Sequence, residues 1–172
     1  NSRKALLGQG RCKVAVYTHG AVGYTPIAHA DGASALANAS YQAVRTETTS
    51  TLRIVELFIG GEATASTVNR MALRRLSTNG ATPTNQVPAA ANPLSLASTS
   101  DGYVAATTGP TIATTQHLAN LALNTFGGVV RWVAAPNEEI WSTAGTAPNG
   151  EMVLDSISGT GVVSTDIKFE EI

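Results

Sequence analysis

The chain has 172 residues, 43% hydrophobic, 13% charged and 5% aromatic, enough for one domain with a real core. Alanine (27), threonine (22), glycine (16) and serine (13) dominate it, a usage that favours pleated, turn-rich structure and excludes a coiled coil. A formal charge of -1 removes the general attraction to nucleic acid, and no apolar run approaches the ~20 residues of a membrane span, so neither is expected as a partner.

Residues 1–10 read as an N-terminal arm and 11–172 as a single β-sandwich domain. The arm shows no apolar core of signal-peptide length. Cys12 is the single cysteine, which rules out an intrachain disulfide. Arg11 and Lys13 beside it would favour a thiolate, but its place at the start of an apolar pattern reads as structural. The first strand is expected over residues 11–18, with Cys12, Val14 and Val16 alternating with Lys13, Ala15 and Tyr17 and the glycines Gly20 and Gly23 ending it. Asn38-Ala39-Ser40 matches the glycosylation acceptor pattern.

Residues 51–59 carry Leu52, Ile54, Val55, Leu57, Phe58 and Ile59, apolar on both alternating faces, which predicts a central strand. Residues 68–77 could place Val68, Met71, Ala72 and Leu76 on one face of a short helix, but Gly60-Gly61 and Asn79-Gly80 bracket them at hairpin-like spacing, which predicts a strand. Residues 81–110, interrupted by Pro83, Pro88 and Pro93, read as a long ordered loop over the surface. The remaining strand signals are 113–123, 126–134, 138–142, 151–157 and 161–171. Gly127-Gly128 marks a bend, and Val163, Thr165, Ile167 and Phe169 give the cleanest alternation in the chain. Eight or so strands without a strand-helix rhythm predict an antiparallel two-sheet β-sandwich, of jelly-roll type.

Charge is uneven along the chain. Residues 1–80 hold nine Lys/Arg against four Asp/Glu, whereas 81–172 hold two against eight. These halves either neutralise one another across one domain or present opposite patches to neighbouring copies. Between Ala81 and Val130 the one charged residue is Asp101, so that stretch is expected to be buried or covered by a partner.

No pattern of catalytic or metal-binding residues emerges. His19, His29 and His117 are scattered without zinc-site spacing, no nucleophile elbow or phosphate loop is present, and no cofactor or metal is implied. Glu138 and Glu139, with Asp155 and Asp166, are carboxylates of the kind a glycosidase needs. Adjacent residues of a strand point to opposite faces, however, and solvated charges near a turn is the plainer reading. Arg70 and Arg74 share a strand face, Arg75 takes the other, and an exposed edge or a subunit salt-bridge row accounts for them. Trp132 and Trp141 are candidates for a sugar platform or for core packing.

The run from Leu121 to Glu139 (LALNTFGGVVRWVAAPNEE), the stretch Arg53–Gly61 (RIVELFIGG), the Thr/Ala/Pro-rich loop and the terminal strand ending Phe169-Glu170-Glu171 together resemble small jelly-roll virion proteins of tailed bacteriophages. The resemblance implies a noncatalytic capsid decoration or cement protein on the outer surface of the head, bridging neighbouring capsid proteins and copies of itself, with a homotrimer expected. Arg3, Lys4, Arg11 and Lys13 are the expected capsid contacts, and Pro83, Pro88 and Pro93 mark the contact loop. The rival reading is a carbohydrate-binding or receptor-binding domain of a tail fibre using Trp132 or Trp141. An enzyme of cupin or glycosidase kind lacks clustered ligands.

Overall fold

The computed structural model describes residues 14–29, 31, 35–37, 41–47, 49–145 and 150–172, with the backbone alone at 114–116. All named elements are strands: β1 (Ala15–Tyr24), β2 (Tyr41–Arg45), β3 (Leu52–Gly61), β4 (Val68–Thr78), β5 (Asn85–Gln86), β6 (Ala89–Ala90), β7 (Asp101–Tyr103), β8 (Thr111–Asn124), β9 (Val129–Val133), β10 (Ile140–Trp141), β11 (Glu151–Ser158) and β12 (Val163–Glu171). They form two antiparallel sheets. Sheet one runs β6-β1-β12-β3, with β9 and β10 both pairing along the far edge of β3, and sheet two runs β5-β7-β2-β11-β4-β8.

The two sheets pack face to face through the alternation that the sequence imposes. Tyr17 of β1, Leu52, Ile54, Leu57 and Ile59 of β3 and Val163, Ile167 and Phe169 of β12 meet Val44, Met71, Leu73, Leu123, Met152 and Leu154 of sheet two. Each such side chain contributes ~1.5–3 kcal/mol by leaving water. A second cluster covers the opposite face of sheet two: Tyr41, Ala43, Leu76 and Val153 point outward there, beneath Leu36, Tyr103, Ala106 and Ile112. Sheet two is thus buried on both faces over this cluster, and among the described residues sheet one carries charges on its outer face.

The expected antiparallel β-sandwich is the fold, and β12 follows the expected alternation, with Val163, Thr165, Ile167 and Phe169 buried. Three details differ. β1 does not stop at Gly20 but pairs with β12 as far as Tyr24, because the ladder needs only main-chain groups and Gly20 lies on the exposed face. Residues 11–13, with Cys12, lie outside the described residues, as does Asn38-Ala39-Ser40. The apolar run of β3 reflects a bulge: Lys168 pairs with Glu56 and Phe169 with Ile54, so Val55 is the extra residue and both Ile54 and Leu57 turn inward. β3 and β4 are not a hairpin; they lie in different sheets, β4 pairing with β11 and β8.

Candidate functional site

Residues 81–110 are more than a loop. The segment leaves β4, forms an isolated bridge between Ala81 and Thr108, adds β5 beside β7 on sheet two, crosses to add β6 beside β1 on sheet one, and returns as β7 beside β2. It straps the two sheets together along one open side of the sandwich. Main-chain bonds hold it: Ala91 N donates to Val16 O (2.8 Å) and Thr84 N to Ala105 O (2.8 Å). Tyr17 Oη donates to Leu96 O (3.0 Å), while Ser98 Oγ (2.9 Å) and Thr99 Oγ1 donate to the Glu171 carboxylate.

Of the three marker prolines, Pro88 is buried, Pro83 half-buried and Pro93 exposed. Around Pro93 the strap turns outward: Asn92 Oδ1 accepts from Leu94 N (3.0 Å), and Leu94 and Leu96 stand 91% and 86% exposed, with Val87 also in solvent. Where the strap crosses β1, Ala21, Val22, Tyr24, Gln86, Val104 and Ala105 line a hollow of ≈ 170 Å³, below the ~300–1,000 Å³ usual for small-molecule sites. Burial pushes the Tyr24 phenol up, against its bond to Thr165. The expected contacts Arg3, Lys4, Arg11 and Lys13 lie outside the described residues.

The two tryptophans separate. Trp132 pairs opposite Leu57 and packs half-buried against the core. Trp141, 44% exposed, sits opposite Arg53 on the outer face of sheet one, and the Arg53 guanidinium lies 5.4 Å from its ring centre. That cation occupies a face a sugar would need.

The polar chemistry lies elsewhere, on the outer face of sheet two. Arg74 and Asp155 are fully buried and joined in a two-pronged ion pair, Nε to Oδ1 at 2.9 Å with NH2 on Oδ2. Burial pushes the Asp155 carboxyl up while the guanidinium pulls it down. Arg74 is therefore neither an exposed-edge residue nor a subunit contact; β4 is an interior strand, and only Arg70 of the trio is exposed. His29 Nδ1 lies 3.9 Å from Asp155, Asp31 Oδ1 lies 4.0 Å from Arg74 NH1, and His117 Nε2 meets Asp31 Oδ1 at 2.8 Å. Two of the histidines that are scattered in sequence, His29 and His117, thus share one cluster. Because His29 Nε2 accepts from Ala37 N (2.9 Å), the neutral ring carries its proton on Nδ1, and burial holds the ring's pKa down. With Nε2 committed to Ala37 N, His29 ties the described residues 35–37 to the cluster on sheet two. A signal existed: Ala72, Arg74 and Leu76 alternate, which sets a cation on an apolar face.

One rung away, Glu151, Arg45 and Asp101 stand side by side across β11, β2 and β7. Arg45 donates to Asp101 (3.2 Å) and lies 4.5 Å from the Tyr103 ring centre, and Tyr103 Oη donates to the same carboxylate (3.0 Å). Glu151 is buried, its Oε2 has no hydrogen-bond partner among the described residues, and burial pushes its pKa up to about 7. Burial also pushes Tyr41 up to about 12, with Glu151 adding to the shift. Glu138 is exposed and Glu139 lies 3.8 Å from Arg53, so the adjacent pair does not converge on a cleft. Among the described residues no group of three or more His, Cys, Asp or Glu is placed to hold a metal ion. No family model matches the chain, and no curated protein matches it significantly.

Proposed function

We propose that this chain is a noncatalytic structural subunit of a phage particle, a decoration or cement protein that lies on the outer surface of the capsid and bridges neighbouring capsid proteins. The observation that carries the reading is the strap over residues 81–110. It is nearly free of charge, is pinned to both sheets, and holds Leu94 and Leu96 almost fully in solvent on a frame with Val87. Large apolar side chains exposed together mark contact surfaces, and a frame anchored at β5, β6 and β7 presents them without a large ordering cost on binding.

The strand order adds support. β1-β12-β3-β9 faces β2-β11-β4-β8, and the chain steps from sheet to sheet between most successive long strands. That interleaving is in keeping with a jelly roll, an architecture common in capsid and lectin domains. A fold alone does not assign a function, so the weight rests on the strap. Weak contacts suffice on a lattice, where many linked copies multiply them.

The test is electron microscopy of source particles incubated with purified chain, compared with a Leu94→Ser/Leu96→Ser variant. Added density on the outer shell that falls with the variant, at an unchanged melting temperature, supports the reading. Absent density, or equal occupancy for the variant, overturns it. Replacing Arg3, Lys4, Arg11 and Lys13 with alanine tests the arm's share: if those cations touch an acidic shell, occupancy falls at low salt and the gap between parent and variant narrows at high salt, where the parent's contacts are screened. Glycan binding lost on Trp141→Ala would favour the tail-fibre alternative instead.

A further inference from the structure

Sheet two ends in β8, at 14 residues the longest strand among the described residues, which pairs with β4 on one side and with no named strand on the other. The beginning of its free edge is taken. Ala35 bridges Thr111, Leu36 N donates to Pro110 O, and Asp31 meets His117. Beyond that no described residue covers the edge, and its register with β4 is regular from Leu73–Ala119 to Val68–Asn124.

An open strand edge is a row of main-chain donors and acceptors ready to pair, and proteins normally guard it with charge, proline or a bulge. Residues 118–124 carry no charge and no proline, and their one bulge, at Leu118, which the register skips between Leu73–Ala119 and Arg74–His117, lies at the very start of the stretch. From Gly102 to Val130 the chain has no Asp, Glu, Lys or Arg. Around the same side of the sandwich Val68, Phe126 and Val129 are exposed, at the start of β4, in the β8–β9 turn and at the start of β9.

We infer that β8 is a self-association edge: residues 118–124 of one copy pair antiparallel with the same residues of a second copy across a two-fold axis, joining two six-stranded sheets into one. The occupant is a second copy because the edge is complementary to itself. Pairing centred on Leu121 sets Leu121 against Leu121, Asn120 against Ala122 and Ala119 against Leu123. No like charges meet in this or any adjacent register. The faces also agree. Ala119, Leu121 and Leu123 pack toward the core in each copy, and Asn120, Ala122 and Asn124 are exposed on the other face, so the pairing extends both apolar layers without flipping either. A charged peptide would find no ion-pair partner on this edge, whereas a second copy needs none.

The purified chain reports this association without any particle present. Light scattering after size exclusion, at about 100 µM, should give twice the 17.7 kDa of one chain. The Asn120→Lys/Ala122→Lys variant changes two exposed side chains and, because positions 120 and 122 face each other twice across the axis, sets lysine against lysine at both places. Its dimer should dissociate at least ~10-fold more readily, with an unchanged fold by circular dichroism. Amide hydrogen exchange of the unmodified chain gives a readout free of mutation: protection of residues 118–124 should rise with protein concentration. A monomer or a trimer at that concentration overturns the proposal, as does a dimer that ignores the lysines or leaves 118–124 unprotected.

Discussion

Replacing Glu151 with glutamine tests the buried face of sheet two by a sign that a generic packing defect would not produce. The carboxyl is buried opposite Arg45, and burial moves its pKa from the ordinary 4.5 to about 7. A carboxyl whose folded pKa is raised stabilises the fold fully below its unfolded pKa, and loses that contribution as pH rises through the folded value. At pH 8 the native chain must hold the charge in a poorly solvated place, at a cost of up to ~3 kcal/mol relative to pH 4. Glutamine keeps the shape and does not titrate. The difference in stability between Glu151→Gln and the parent should therefore be near zero at pH 4 and reach ~2–3 kcal/mol in favour of the variant at pH 8, a rise of roughly 5–10 °C in melting temperature for a chain of this size. Thermal melts of both proteins across that range provide the assay, and all other titrating groups cancel in the difference. Melting curves that run parallel with pH, or a variant weakened most at pH 8, would refute the account of Glu151 as a desolvated, partly unpartnered acid.

Three further perturbations follow from the same geometry. Arg74→Met strands Asp155 as a buried, unpaired carboxylate, so it should cost about 3–5 kcal/mol by denaturant titration; Arg74→Met/Asp155→Leu should recover most of that loss, and a double variant no better than the single would contradict the pairing. Gly109→Ala would drive a methyl into the Leu36 carbonyl, well inside contact distance; it should lower stability by about 2 kcal/mol or more and raise amide exchange at residues 35–37, where their seat against β8 is lost. Glu56 lies between Arg131 (2.7 Å) and Lys168 (3.0 Å), which hold its carboxyl down to about 2. Its stabilising share is present above the ordinary carboxylate pKa and lost as pH falls toward 2, and because the site is near water Glu56→Gln should cost only about 1 kcal/mol at pH 7 and less in high salt.

How far the fold is legible in the sequence varies with physical cause. β12 is readable because one face is dry and the other wet, so its side chains alternate as its backbone does. β3 yields the right element for the wrong reason: one extra residue at Val55 resets the alternation, and a bulge imitates a strand buried on both faces. The strap reads as a loop because strands of two residues, such as β5 and β6, contain no period to detect. The Arg74–Asp155 pair joins positions 81 apart, and nothing local marks such a partner; only the apolar neighbours of Arg74 on its own face hint that it is buried. Trp132 and Trp141 have equal standing as residue types, and register alone sends one inward and the other beside Arg53.

Among the described residues, much of the chain's charge asymmetry is paired internally. The cations of the first half meet the anions of the second within one subunit: Arg45 with Asp101, Arg53 with Glu139 and Glu170, Arg74 with Asp155, while Glu56 takes Arg131 and Lys168 in return. Charges already paired in this way have little free energy left to offer a neighbour. Apart from a few isolated exposed charges such as Arg70, Glu47 and Glu138, what remains unsatisfied on the described surface is apolar or main-chain: Leu94 and Leu96 on the strap, Val68, Phe126 and Val129 around the turn after β8, and the edge of β8 itself. Association through those features should depend weakly on ionic strength. Any strong salt dependence must then come from residues 1–13, which carry Arg3, Lys4, Arg11 and Lys13, and removing those residues should abolish it while leaving the salt-insensitive part in place.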